Sequence, residues 1–296
     1  MLELQTQVQF KNILVATDFS PVAVAAFPFA AKLAQAYGSR IWAFHVAAPT
    51  VNPMTDPSSW AILEQAAKAR RQEQHQILSA SFPGSKPEIV IEEGDFSSIL
   101  ESTMKGHNVD LVVMGTHGRT AAGKVLLGSV AEEILRKVPC PVLTVNAHVA
   151  VAPKRDVEIS RILFATSLRP ESLEIAAPYA ISLAQEFQTY FTVLHVIEDR
   201  KPGDLVDWPE LQQSTINLLE KALPIEAVRR FSAHCIVERG DAAEKILAIA
   251  EARHADLVVL GAHEARGVGG AATHLPISIV HKVISQAHCP VLTVRT

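Results

Sequence analysis

The stretch Asp110–Ser129, DLVVMGTHGRTAAGKVLLGS, decides how the chain reads. Its apolar run Leu111 to Met114 ends at Gly115, and a loop of small residues follows. Gly128-Ser129 then precedes an amphipathic segment from Val130 to Val138. Strand, glycine loop and helix start, in that order, gather unpaired backbone N–H groups and the positive end of a helix dipole around an anion. Glycine lets a phosphate approach backbone that a Cβ would screen. The stretch predicts a nucleotide phosphate site.

Working outward, the same pattern recurs on both sides. Ile13 to Ala16 is a short apolar run, and Ser20-Pro21 offers an N-cap with proline at the first helical position. An alanine-rich helix is predicted from there to Tyr37-Gly38, where glycine suits a C-cap. Ile41 to Val46 reads as the second strand, Ser58 to Ala80 as the second helix, Ile89 to Glu92 as the third strand and Phe96 to Lys105 as the third helix. Val142 to Val145 closes the unit. Continuous apolar strands alternating with helices indicate a parallel sheet covered on both faces. Ligands of such sheets sit beyond the carboxyl ends of the strands, where Asp18, Val46 and Gly115 all fall.

The unit occurs twice. KNILVATDFSP (Lys11–Pro21) returns as SRILFATSLRP (Ser160–Pro170), AFHV (Ala43–Val46) as VLHV (Val193–Val196), and EEGD (Glu92–Asp95) as ERGD (Glu238–Asp241). VDLVVMGTH (Val109–His117) returns as ADLVVLGAH (Ala255–His263), and VPCPVLTV (Val138–Val145) as AHCPVLTV (Ala287–Val294). Blocks in the same order at nearly constant offset mark a duplicated domain. The predicted domains are 1–147 and 158–296, with a seam near Asn146–Ile159 that shows no sustained periodicity.

Composition narrows the class. Of 296 residues, 48% are hydrophobic and 20% charged, enough for two packed cores. A formal charge of −4 gives no general attraction to nucleic acid or an anionic membrane. The sequence shows no apolar run near bilayer length and no signal-peptide layout at its start. Cys140, Cys235 and Cys289 form no paired framework, which suits reduced thiols in a cytoplasm.

Gly115, Gly118 and Gly128-Ser129 spell G-x2-G-x9-G-S. With ATDFS at Ala16 and CPVLTV at Cys140, this resembles the ATP-binding type of the universal stress protein family. The resemblance implies two tandem three-layer α/β/α domains, each with a five-stranded parallel sheet of the adenine nucleotide alpha hydrolase-like kind. It also implies roles. Asp18 would hold the ribose hydroxyls, the backbone around Val46 would meet adenine, and Gly115 would lie against the ribose. Gly118, Gly128, Ser129 and Val130 would wrap the phosphates of ATP, with Mg²⁺ sharing their charge. Thr17, Met114, His117 and Arg119 complete the expected nucleotide-binding set, and Lys124 adds positive charge at the mouth. The two final strands would pair across a two-fold, making the chain an intramolecular pseudo-dimer; pairing with a second copy is left open. Such a protein would be a nucleotide-dependent binding or signalling module with at most slow hydrolysis. The alternatives are an ATPase or nucleotidyl transferase of related fold, or a nucleotide-free scaffold whose second domain holds another ligand.

Gly118 to Val125, GRTAAGKV, approaches a P-loop, but Val125 stands where Ser or Thr must hold Mg²⁺, and Gly128-Ser129 would be unexplained. The second half departs from the motif: Glu264 occupies the place of Gly118, Ile277 that of Gly128 and Ser167 that of Asp18. A carboxylate among phosphates repels them, so this half is expected not to bind ATP in the same way. His45 and His195 read as hydrogen-bonded crevice-wall histidines. His274, His281 and His288 recur every seven residues, as if along one helix face. Cys140 and Cys289, each before proline, read as small buried hydrophobes.

Overall fold

A computed structural model describes residues 8–47, 60–116, 127–151, 157–198, 207–224, 233–262 and 279–295, without the side chains of 60, 61 and 170–172. The continuous apolar runs do become strands covered on both faces. Ile13, Leu14 and Val15 of β1 (Asn12–Ala16) and Leu111, Val112 and Val113 of β4 (Leu111–Gly115) are fully buried. With β2 (Arg40–Ala47), β3 (Glu88–Glu93) and β5 (Val142–Val145) they form a parallel sheet in the order β3-β2-β1-β4-β5. The second half repeats it with β6 (Arg161–Ala165), β7 (Tyr190–Ile197), β8 (His234–Arg239), β9 (Leu257–Ala262) and β10 (Val291–Arg295).

The two predicted edge strands pair with each other. β5 and β10 run antiparallel, with Val291 opposite Thr144, Leu292 opposite Leu143 and Thr293 opposite Val142, so ten strands form one sheet. Neither edge is then left as an open template for aggregation.

Helices cover both faces. On one lie α2 (Phe27–Tyr37), α3 (Trp60–Ala80), α7 (Pro170–Phe187) and α8 (Trp208–Ala222), over a single core that runs through both halves and includes Phe10, Leu33, Phe82, Leu143, Ile159, Phe191 and Leu292. On the other face the halves keep separate cores. One lies under α4 (Phe96–His107) and α5 (Ser129–Lys137), the other under α9 (Ala242–Ala252) and α10 (Ile279–Gln286). Leu127 and Leu135 touch both.

Three expectations needed correction. The alanine-rich helix is two helices, α1 (Pro21–Val24) and α2, because Pro28 has no N–H to give the Val24 carbonyl one turn back. The seam holds a short helix, α6 (Ala147–Ala150), whose N-cap Asn146 accepts from the amides of His148 and Val149. Of the three evenly spaced histidines only His281 is placed on a described helix. His288 lies beyond its end with its ring 5.3 Å from that of His148, and His274 is outside the described residues.

Asn146 does more than cap. Its amide, 2% exposed, donates to the carbonyls of Ile284 and Ala287, each at 2.8 Å, closing the carboxyl end of α10 from across the seam. Arg295 stands at the matching position of the second half and returns the contact, its Nη1 donating to the Arg136 carbonyl at 2.7 Å at the end of α5. The last residues of each unit thus satisfy the orphan carbonyls of the other unit's last helix.

Candidate functional site

In each half the strand order changes direction between the first and fourth strands, the place where open α/β sheets hold ligands. Ala16 is paired with Met114 and with Phe44, so the residues that follow β1 emerge beside Gly115 and the end of β2. Thr17 donates its amide to the Phe44 carbonyl at 3.0 Å. The chain then turns sharply at Phe19, whose φ of 61° is costly for a residue with a Cβ, about 1 kcal/mol or more. Local bonds hold it. The Phe19 amide donates to Thr17 Oγ1 at 2.9 Å, the Ser20 amide to Asp18 Oδ1 at 2.9 Å, and the Ala23 amide to Ser20 Oγ, capping α1. The second Asp18 oxygen has no partner among the described residues.

Gly115 is required by packing as well as position. A Cβ there would lie 2.7 Å from the Ala23 nitrogen and 2.8 Å from the Val22 carbonyl carbon, inside the backbone of α1. The glycine therefore lets α1, and the Asp18 turn that leads into it, sit against the end of β4. Beyond it, Thr116 donates its amide to the Val145 carbonyl and accepts from Gly128, both at 2.9 Å. The second bond ties the start of α5 to the end of β4. It also commits the Gly128 N–H, expected to face phosphate, to the chain itself. The amides of Ser129, Val130 and Ala131 have no partner among the described residues, and both Ser129 and Val130 are exposed.

The register thus brings Thr17, Asp18, Val46, Met114, Gly115, Gly128, Ser129 and Val130 to one end of the sheet. Met114 is buried beneath it, 2% exposed, as wall rather than contact surface. His117, Gly118, Arg119 and Lys124 lie outside the described residues, as do Glu264 and Ile277 of the second half.

The sequence reading gave His45 no more than a bonded place in the wall. Its Nδ1 lies 2.8 Å from the Thr17 carbonyl and its Nε2 3.2 Å from Gln74 Nε2 on α3, while the Phe19 ring meets it edge-on at 4.8 Å. A carbonyl only accepts and an amide nitrogen only donates, so His45 carries its proton on Nδ1. The signal that could have found this role is the repeat itself, since both histidines stand at the same position within their strands.

The second half copies the turn and changes its cargo. His195 Nδ1 lies 2.8 Å from the Thr166 carbonyl, the Leu168 amide donates to Thr166 Oγ1, and Leu168 has φ 59°. Ser167 and Arg169 replace Asp18 and Ser20; both are exposed, and Arg169 gives α7 no side-chain cap. A hollow of about 920 Å³ bordered by Arg161, Thr192, His234 and Arg253 lies at the amino ends of β6 to β8, the wrong end of the strands for this crevice. Trp42, stacked on His107 at 3.6 Å, takes that place in the first half.

Against this geometry, comparison with known proteins is direct. The model of the universal stress protein family matches residues 9–146 and again 158–295. The chain is a tandem member of the universal stress protein family. A universal stress protein of Mycolicibacterium smegmatis is 30% identical over 295 residues, covering 96% of this chain and 97% of its own. One from Thermus aquaticus is 34% identical over 141 residues, 46% of this chain and 99% of its own. Among solved structures, a universal stress protein from Archaeoglobus fulgidus superposes with a TM-score of 0.71 at 21% identity, covering 97% and 99% of the two chains. This likeness shows that the two chains share their fold over nearly their whole length.

Proposed function

We propose that the first domain, residues 1–147, binds ATP with its Mg²⁺, and that the second, 158–296, is a partner domain that does not bind ATP in the same way. The observation that carries this reading is the convergence at one strand-end crevice. An Asp18 carboxylate with one oxygen unpartnered among the described residues stands on a turn beside Gly115, and the N-terminus of α5, whose first amides have no partner among the described residues, is tethered next to it. A carboxylate suits sugar hydroxyls, and a helix start with open N–H groups suits phosphate. Because the tether through Thr116 occupies the Gly128 N–H, the amides of the described part that this reading offers to phosphate are those of Ser129, Val130 and Ala131.

Among the described residues no group of three His, Cys, Asp or Glu could hold a metal, so Mg²⁺ would arrive on the nucleotide. His45, bonded to the carbonyl just before Asp18, has both ring nitrogens bonded within the chain and is not poised to activate water. This supports a nucleotide-dependent binding or signalling module with slow turnover at most. Burial pushes the thiols of Cys140 and Cys235 up, to about 12 and about 11, which keeps both protonated at neutral pH.

The test is to denature freshly purified protein and quantify released nucleotide per chain, then titrate stripped protein with Mg²⁺-ATP. One adenine nucleotide per chain is expected. Two would mean that the second crevice also binds, and none in either measurement would overturn the reading.

A further inference from the structure

The geometry points to His45 as a positioning residue that fixes the Asp18 carboxylate for sugar recognition, with Gln74 of α3 setting its tautomer. The inference rests on the nucleotide reading above and adds the device that aims it. The turn from Thr17 to Ser20 is intrinsically unfavourable, because Phe19 takes a left-handed conformation, so it persists only where its surroundings over-determine it. His45 supplies that constraint from the neighbouring strand: its Nδ1–H holds the carbonyl immediately before Asp18, and its ring edge meets Phe19. Releasing the Thr17 carbonyl would free the peptide that orients Asp18, and the carboxylate would lose its fixed direction.

The second half provides a built-in control. His195 makes the same bond to Thr166, but the turn it holds carries Ser167. The Gln74 contact has no copy among the described residues: His195 is bonded through Nδ1, and no side chain of α8 is hydrogen-bonded to its Nε2. Removing either histidine should disturb a turn, yet only His45 should alter how sugar hydroxyls are read.

The experiment uses the full chain and two probes, ATP and 2′-deoxy-ATP, with dissociation constants from calorimetry. Wild type is expected to prefer ATP. His45→Ala should weaken ATP by about tenfold, the scale of one hydrogen bond, and bring the two nucleotides close to equal affinity. His45→Asn, whose amide N–H can replace the Nδ1 donor, should restore most of the preference. His195→Ala should leave both constants unchanged. Unaltered discrimination in His45→Ala, or equal losses in His45→Ala and His195→Ala, would overturn the inference while leaving nucleotide binding intact. Failure of wild type to bind either probe would remove the underlying reading and this one together. Should His45→Ala not fold, nitrogen chemical shifts of wild-type His45 decide: a proton on Nδ1 supports the device, and a proton on Nε2 sinks it.

Discussion

The turns after β1 and β6 share a backbone and differ in what they present. Each has a threonine that bonds its own loop, a residue at φ near +60° and a histidine reaching across from the next strand. A second pair of staples sits at the other end of the sheet. There Asp110 accepts from the amides of Lys11 and Asn12, and Asp256 from those of Ser160 and Arg161. These duplicated contacts face the chain. What is not duplicated is Asp18 with the buried helix cap Ser20 in one half, against the exposed Ser167 and Arg169 in the other. Comparing the halves therefore separates what builds the unit from what the unit offers a ligand.

Exchanging residues between the halves tests that separation. The largest effect is expected from Gly128→Ile, which copies the second half into the first. The backbone at Gly128, φ −67°, accepts any residue, so the variant should fold, while ATP affinity falls by about 100-fold or more as a branched side chain crowds the phosphates. Calorimetry reads the loss, and retained affinity would show that the start of α5 is not the phosphate site. Next comes Asn146→Leu. It strands the carbonyls of Ile284 and Ala287 and removes the α6 cap, so urea unfolding should show a loss of about 2–4 kcal/mol. The matching Arg295→Met, at a half-exposed position, should cost about 1 kcal/mol or less.

The helix caps are a finer probe. Ser20→Ala, which removes the capping oxygen at this buried position without burying a charge, should destabilise by about 1 kcal/mol, and Arg169→Ser, which supplies a capping oxygen where none stands, should recover up to a similar amount. The smallest effect concerns pH. Burial lowers the pKa of His281 below its usual 6.5, against the pull of Glu132, the residue at the matching position of the first half. The unfolded chain then binds the proton more readily than the folded one. Stability should fall as pH drops from 6.5 toward the folded-state value, and His281→Gln should flatten that slope in urea midpoints measured across the window.

Much of this architecture was visible in the residues. Apolar runs such as Leu111 to Met114 name buried strands, Ser20-Pro21 names a helix start, and the recurrence of CPVLTV names two units whose last strands can meet. Other features left no local pattern. Asn146 sits in a stretch without periodicity, and the carbonyls it serves are 138 and 141 residues away. Gly115 reads as a place for a ligand, yet its nearest claim comes from the α1 backbone; the two readings share one signal because both need a missing Cβ. The Gly128 N–H was expected at phosphate and is instead held by a carbonyl, a choice that spacing alone does not reveal. Pro28 was legible in principle, but the alanine composition around it outweighed one missing donor.

The single antiparallel junction between β5 and β10 has a consequence for how such a molecule can change over generations. In a pair of identical subunits every substitution strikes both crevices at once, so neither can drift without the other. Here the reversal of strand direction sets the ends of β4 and β9 at opposite rims of one sheet, and each rim is written by its own stretch of sequence. A substitution beside Ser167 therefore leaves the Asp18 crevice as it is, because each rim draws on different residues of the chain.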